Sequence, residues 1–492
     1  MATTQFTPTD EQLEALRLFR TGNSLALEAL AGAGKTSTLR LAAEQTSNAR
    51  GVYVAFNRKI VDDAKGSFPG YVKCSTAHGL AFAAVGKDYA HRLRARRMSA
   101  RDTAQALGLD FDTPIVVDVD DETREIHATT LATAAKLTVD RFCSSADEAL
   151  AIRHVYRIPG IDAPDEWTNH DKLAPRILGM AEQIWADVTK QDGGLHRFEH
   201  GHYLKMWQLR RPRIHADFLL FDEAQDANPV MRAIVEAQTH LQLVYVGDSN
   251  QAIYEWTGAV DALGQANVSA RARLTESFRF GPEIAEQANL VLRRLGAGVE
   301  VTGSGPGGTI GPASAPNCVL GRTNAAVVVE AIDRMAAGQR VALQGGTREI
   351  VWFAEAAEKL QAGEPTNHPE LACFPNWGAV QVYVESDAGK DLKSLVGLVD
   401  RIGARELIRA LEAMVDPKWA EVICSTAHKA KGAEWGTVQL LDDFPFPQGE
   451  EIDTAELRLL YVAVTRAKQH LDATAAVLNA PADLTGVATA GR

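Results

Sequence analysis

Ala29-Leu30-Ala31-Gly32-Ala33-Gly34-Lys35-Thr36-Ser37 is the stretch on which the reading of this 492-residue chain turns. Before it, Ser24–Glu28 (Ser-Leu-Ala-Leu-Glu) has the composition of a short buried strand; after it, Thr38–Gln45 has the apolar spacing of a helix. A small-residue turn that joins a strand to a helix and ends in Gly-Lys-Thr is a phosphate cradle. The backbone N–H groups of the turn and the helix N-terminus point at the anion. In this reading Lys35 reaches the β- and γ-phosphates and the Thr36 hydroxyl ligates Mg²⁺. Ala29 stands where the pattern usually has its first Gly, so a strict pattern passes over the site. The competing reading is a Gly-rich turn with a solvated lysine.

Partners for such a cradle lie further along the chain. Asp217–Phe221 (Asp-Phe-Leu-Leu-Phe) reads as a buried strand and ends in Asp222-Glu223-Ala224-Gln225-Asp226. There Asp222 can hold Mg²⁺ while Glu223 polarises an attacking water. Leu241–Val246 is another strand, and Gly247-Asp248-Ser249-Asn250-Gln251 follows it, with Gln251 as a candidate sensor of the γ-phosphate. Tyr254 and Trp256 come next; they can stack on bases or fill an interface. Hydrolysis also needs cations on the transferring phosphoryl group, and Arg279 and Arg466 are the candidates. If they close on the γ-phosphate, the nucleotide sits between two lobes and couples to a hinge.

The length suggests about three or four domains. The net charge of −12 argues against a broad basic coat for nucleic acid, but a local basic channel remains compatible with it. Cys74, Cys143, Cys318, Cys373 and Cys424 are scattered with no CxxC pair, so no disulfide framework or zinc knuckle is encoded. The polar N-terminus has no signal peptide character, and no apolar run reaches membrane-spanning length. A reduced, soluble, intracellular protein with no membrane partner is expected.

Phe6–Gln12 opens a helix, where Thr9 and Gln12 can form a capping box or Gln12 can read an adenine edge. Gly51–Phe56 and Tyr71–Cys74 are further strands, followed by Asn57-Arg58-Lys59 and by Ser75–Leu80. From about Asp88 to His200 the pattern turns helical, with five arginines in His91–Arg101 that suit a solvated face or a phosphate-tracking patch. Asp110–Glu125 reads as an acidic loop, and His196, His200 and His202 lack the spacing of metal ligands. Gly296–Pro316 reads as a long loop. A second β/α lobe follows with strands at Asn317–Leu320, Val341–Leu343, Glu421–Cys424 and Thr437–Leu441, and with an amphipathic helix over Asp453–Lys468.

This series of motifs resembles superfamily-1 helicases of the UvrD/Rep/PcrA type. In family order they are the Gln motif Phe6–Gln12, Walker A Ala31–Ser37, motif Ia Val54–Lys59 and motif Ib Thr76–Phe82. Motifs II to VI follow: Asp222–Asp226, Val246–Ala259, Glu276–Phe280 with Gly321–Asn324, Ser425–Trp435 and Leu459–Lys468. Tyr203–Leu209 is similar to the F-box DNA helicase branch, over the motor alone. The resemblance implies an α/β fold of two RecA-like P-loop lobes, parallel sheets flanked by helices, with mostly helical insertions. Residues 1–88 and 201–281 would form the first lobe, with 89–200 its insertion. Residues 282–345 and 419–492 would form the second, with 346–418 a reduced insertion.

The resemblance also implies roles. Lys35, Asp222, Glu223, Gln251, Arg279 and Arg466 would be catalytic. Gln12, Ala31, Gly32, Ala33, Gly34, Thr36, Ser37, Phe278 and Glu434 would join Lys35 in holding ATP, with Phe278 on the adenine and Glu434 near the ribose. Mg²⁺ would sit at Thr36 and Asp222. Phe56, Asn57, His78, Tyr254, Trp256 and His428 would contact single-stranded DNA. The implied activity is an ATP-driven DNA helicase moving 3′ to 5′ on single strands and at single-strand/duplex junctions. It would be a monomer working with recombination or replication proteins in the cytoplasm, or in the nucleus of a eukaryote. The short insertions put processive strand separation in question and keep two alternatives open: a translocase that strips bound proteins, and a nucleotide-gated DNA-binding switch.

Overall fold

Strands with no polar face must be buried on both sides, which suits parallel sheets covered by helices. Gly51–Ala55 and Phe218–Phe221 are of this kind and are buried along their whole length. The computed structural model describes residues 7–46, 49–55, 58–95, 98–119, 122–162, 166–254, 261–386, 389–445 and 453–476. Two six-stranded sheets, parallel throughout, organise it.

The first sheet holds β1 (Leu25–Ala29), β2 (Gly51–Ala55), β3 (Val72–Thr76), β4 (Phe218–Phe221), β5 (Gln242–Gly247) and β6 (Ala270–Leu274), in the order β3-β2-β4-β5-β1-β6. Glu28 pairs with Gly247 and Phe221 with Tyr245, so β1, β4 and β5 end nearly flush. Ligands of open α/β sheets collect at such carboxyl ends. The phosphate loop, Asp222 and Gln251 all leave the sheet there. Gly51 fits because a Cβ at that position would fall 2.3 Å from Cζ of Phe218.

The second sheet holds β7 (Thr309–Ile310), β8 (Cys318–Gly321), β9 (Val341–Leu343), β10 (Val422–Thr426), β11 (Trp435–Leu440) and β12 (Ala467–Asp472), in the order β7-β12-β11-β8-β10-β9. The fold is thus the expected pair of RecA-like lobes. A buried cluster joins them: Leu30, Ala31, Ile253 and Phe280 from the first meet Ile284, Leu460 and Tyr461 from the second.

Three sequence expectations need correcting. Asp110–Glu125 is not simply a loop: Ile115–Val119 and Glu122–Ile126 form an antiparallel hairpin. Its alternating Ile115, Val117 and Val119 are interleaved with exposed residues, and the acidic composition hides that period. The helix expected over Asp453–Lys468 spans Thr454–Val464, and the chain then enters β12. Gly296–Pro316 carries two short strands, Thr302–Gly303 and Thr309–Ile310, the second on the edge of the second sheet. Between β3 and β4 the helices Ala128–Ser144 and Thr168–Val188 dominate. Among the described residues no helix is long and apolar enough to cross a membrane.

Candidate active site

The loop expected to hold phosphate is set by its backbone geometry. Gly32 and Gly34 are left-handed, with φ of +76° and +77°, a region that glycine enters freely. Gly34 is the N-cap of helix Lys35–Glu44 and offers no side chain to its N–H groups, which stay free for an anion. Gly32 has a second reason to be glycine. A Cβ there would lie 2.5 Å from Oγ of Ser277 and 2.7 Å from Cβ of Arg279. The missing side chain lets the 277–279 segment lie on the loop, where the Phe278 N–H donates to the Gly32 carbonyl at 3.0 Å. That contact brings Arg279 to the phosphate loop.

One cavity of about 460 Å³ results. Ala31 to Ser37, Asp222, Glu223, Gln251, Tyr254 and Arg279 line it from the first lobe; Lys431 and Arg466 line it from the second. Lys35 pairs with Glu223 at 3.2 Å. Burial alone would lower the Lys35 ammonium, but Glu223, Asp248 and Asp222 together hold it above its ordinary value. Burial raises the Asp222 carboxyl, and the Glu223 charge adds to this. Burial acts against Glu223 too, yet Lys35, Lys431 and the Gln225 amide keep it low and ionised. The two carboxyls are therefore pushed apart by their surroundings, as groups with different tasks are. Glu223 also holds a left-handed backbone, φ +52°, rare for a residue with a long side chain.

The arginines are anchored by the second lobe's backbone. Arg279 donates to the Thr465 carbonyl at 2.9 Å and pairs with Glu434 at 2.8 Å. Arg466 donates to the carbonyls of Val462 and Ala433 at 2.9 and 3.1 Å, and to Oε1 of Gln251 at 3.2 Å. Burial, reinforced by Arg279, lowers Arg466 to about 9, so it remains cationic at neutral pH. Gln251 is gripped from both lobes, because its amide also donates to Asp248 at 2.7 Å.

Other expected residues fall nearby or elsewhere. Gln12 is buried and its amide is engaged: Oε1 accepts from the Thr9 N–H at 3.1 Å in a capping box, and Nε2 donates to Thr38 at 3.1 Å. Phe278 is half exposed beside Gly34 and Gln12. Glu434 lies outside the cavity's lining and bridges Arg279 and Lys468. His78 packs edge-on against Tyr203, with ring centroids 6.1 Å apart. Tyr254 donates to the His428 carbonyl at 3.1 Å, and both line a second groove of about 1230 Å³. Phe56, Asn57 and Trp256 lie outside the described residues.

Four participants had no role in the sequence reading. Lys431 spans the seam: its ammonium lies 2.6 Å from Asp226, bonds the Gln251 carbonyl, and sits over the Tyr254 ring. Burial outweighs the attraction on both sides of that pair, raising Asp226 to about 6 and lowering Lys431. Tyr53 donates to Asp222 at 2.5 Å from inside β2. The Tyr461 hydroxyl, fully buried, accepts the Ala31 N–H at 3.4 Å and bonds Asp248. Lys431, Asp226 and Tyr461 sit inside motif stretches; only their contacts across the seam reveal what they do.

Asp222 and Thr36 supply hard oxygen donors suited to Mg²⁺. Each Asp222 oxygen accepts one hydrogen bond, from Tyr53 and from the Glu223 N–H, which leaves lone pairs to spare. Among the described residues no group of three or more His, Cys, Asp or Glu could hold a metal. A cation at Asp222 and Thr36 would therefore complete its shell with phosphate and water oxygens.

A glycine-rich loop at the strand ends of one RecA-like lobe thus shares a single cavity with Lys431 and Arg466 of the other. Residues 196–265 match the UvrD/REP helicase N-terminal domain and residues 421–471 match the UvrD-like helicase C-terminal domain. Both lobes thus carry a UvrD-like helicase family segment. The chain is 29% identical over 500 residues to F-box DNA helicase protein 1 of Schizosaccharomyces pombe, covering 92% of this chain and 55% of that one. It is 29% identical over 499 residues to F-box DNA helicase 1 of Gallus gallus, covering 92% and 47%. ATP-dependent DNA helicase UvrD2 of Mycobacterium tuberculosis is 25% identical over 332 residues, covering 53% and 47%. The chain spans about half the length of these relatives.

Proposed function

We propose that this chain is an ATP-driven DNA helicase motor that moves 3′ to 5′ on single-stranded DNA and opens duplexes at junctions. One observation carries the reading: Lys35 and Glu223 face Arg279 and Arg466 across a single cavity between two lobes. The names of the similar proteins support DNA as the track.

In this reading Lys35 and the loop N–H groups bind the phosphates, and Glu223, held ionised, takes the proton of the attacking water. Arg279 and Arg466 stabilise charge on the γ-phosphoryl group, which in comparable sites is worth roughly 10³–10⁵ in rate. Thr36 and Asp222 would hold Mg²⁺, which when bound would neutralise phosphate charge. Gln251, hydrogen-bonded to Arg466, links the γ-phosphate to the second lobe. The second groove is the candidate strand site: Arg322, Lys390, Lys393, Arg401 and Lys429 line it beside Glu349, Asp391, Asp443 and Glu456, and Tyr254 lines both groove and cavity. Lobe boundaries near residues 88, 200, 281, 345 and 418 belong to the same proposal, as does work inside the cell, in cytoplasm or nucleus, beside recombination or replication proteins.

The test is ATP turnover with and without single-stranded DNA, beside unwinding of 3′-tailed and 5′-tailed duplexes. Strong stimulation and opening of the 3′-tailed substrate are expected. Lys35→Ala should abolish turnover and keep strand binding. Turnover indifferent to DNA would overturn the motor reading, and preference for the 5′ tail would overturn the polarity.

A further inference from the structure

Asp222 is tied to the neighbouring strand twice. Its N–H donates to the Val54 carbonyl at 2.9 Å, which carries the β2–β4 ladder one step past Phe221. Its Oδ2 accepts the Tyr53 hydroxyl at 2.5 Å. Tyr53 pairs with Leu220, and side chains alternate along a strand, so Asp222 stands one two-residue step further along the same face. That step is about 6.6 Å, which a phenol can span. Ala55, next to Tyr53 on that face, carries only a methyl and leaves the path open. The Phe68 ring packs on the Tyr53 ring with centroids 4.8 Å apart. Tyr53 is fully buried and lies outside the lining of the cavity, so it reaches the site through Asp222.

The other carboxylate oxygen, Oδ1, accepts the Glu223 N–H at 3.0 Å. The terminal torsion of an aspartate is broad when nothing holds it. One donor on each oxygen fixes the plane of the carboxylate, whereas a single donor lets it turn. Mg²⁺ demands near-ideal octahedral geometry, so a carboxylate that turns is a poor ligand for it. We propose that Tyr53 is a positioning residue: its hydroxyl holds Asp222 in the orientation that binds Mg²⁺ beside a nucleotide. The assignment rests on the reading of Asp222 and Thr36 as ligands of that cation. Tyr53 itself stands outside the motif stretches. Motif Ia opens at Val54, and Tyr53 precedes it inside the apolar run Gly51-Val52-Tyr53-Val54-Ala55.

The test compares the full chain with Tyr53→Phe, which keeps the ring against Phe68 and removes the hydroxyl alone. Binding of a fluorescent, non-hydrolysable ATP analogue is titrated in EDTA, in Mg²⁺ and in Ca²⁺. The quantity read is the ratio of affinities with and without the cation, in which a general weakening of nucleotide binding cancels. Removing a group that orients a metal ligand costs about 10–100-fold in metal affinity, so the Mg²⁺ ratio should fall about tenfold or more. The Ca²⁺ ratio should fall less, because Ca²⁺ accepts irregular geometry. Phe68→Leu keeps the hydroxyl and loosens the ring that carries it. It serves if Tyr53→Phe fails to fold, and should lower the Mg²⁺ ratio in the same sense. An unchanged Mg²⁺ ratio overturns the assignment. So does an equal loss for the two cations, which would mark a role in charge rather than in position. If the unmodified protein binds the analogue equally well with and without Mg²⁺, the cation site is refuted and the assignment falls with it. Failure of the unmodified protein to bind the analogue at all overturns the nucleotide reading of the cavity.

Discussion

Replacing Lys431 by Ala removes the one ammonium that ties β10's following loop to Asp226 and to the Gln251 carbonyl. The Lys431 and Asp226 side chains are only 9% and 4% exposed, so the carboxylate left behind stays out of water with the Gln225 amide as its remaining side-chain donor. Breaking a buried pair from one side costs about 3–5 kcal/mol. The cost should depend on pH, with a definite sign. Asp226 titrates at about 6 in the folded protein against an ordinary value of 3.8, so the native state takes up a proton first as pH falls. Without Lys431 its value climbs further. The variant therefore regains part of its deficit relative to wild type as pH falls from 8 to 6. Adding Asp226→Asn to Lys431→Met should recover most of the loss, since no charge is then stranded. Denaturant melts of the four proteins at pH 8 and pH 6 measure this directly. A deficit that is the same at both pH values, or a double variant no better than Lys431→Ala, would refute the reasoning.

Gly32→Ala should cut ATP turnover by about 10² or more while a fluorescent nucleotide still binds, because the methyl displaces Arg279 and strains a left-handed residue by about 1–2 kcal/mol; turnover near the wild-type level would count against the packing argument. The protein should also be acid-labile. Burial lowers His202 to about 3 and His368 to about 4, below an ordinary 6.5, so the unfolded chain protonates first as pH falls below 6.5. At pH 5 these two histidines and His428, which burial likewise lowers to about 4, withdraw about 6 kcal/mol, and the raised carboxyls of Asp226 and Asp222 return about 3, leaving a net loss of about 3 kcal/mol. Melting midpoints that rise between pH 7.5 and pH 5 would contradict this.

Much of the nucleotide half of the site was legible because its logic is local. Gly34-Lys35-Thr36 and Asp222-Glu223 each sit at a strand end, and strand ends are visible as apolar runs followed by a break. The other half depends on long-range approach. Lys431 meets Asp226 from 205 positions away, and nothing in Ala430-Lys431-Gly432 distinguishes it from a solvated lysine. β12 went unread, its first two residues taken into the expected helix, because Ala-Lys-Gln-His-Leu-Asp carries no β-branched residue to mark a strand. Phe374 packs its ring against Gly160, and that contact has no local trace, since each residue is unremarkable in its own segment.

The left-handed backbone at Glu223 sets two selective pressures against each other. A glycine at this position would relax the main chain by about 1–2 kcal/mol, yet it would take the buried Lys35 from its carboxylate partner, which costs about 3–5 kcal/mol. Screens of random variants for heat resistance should therefore retain Glu223 in spite of its strained backbone.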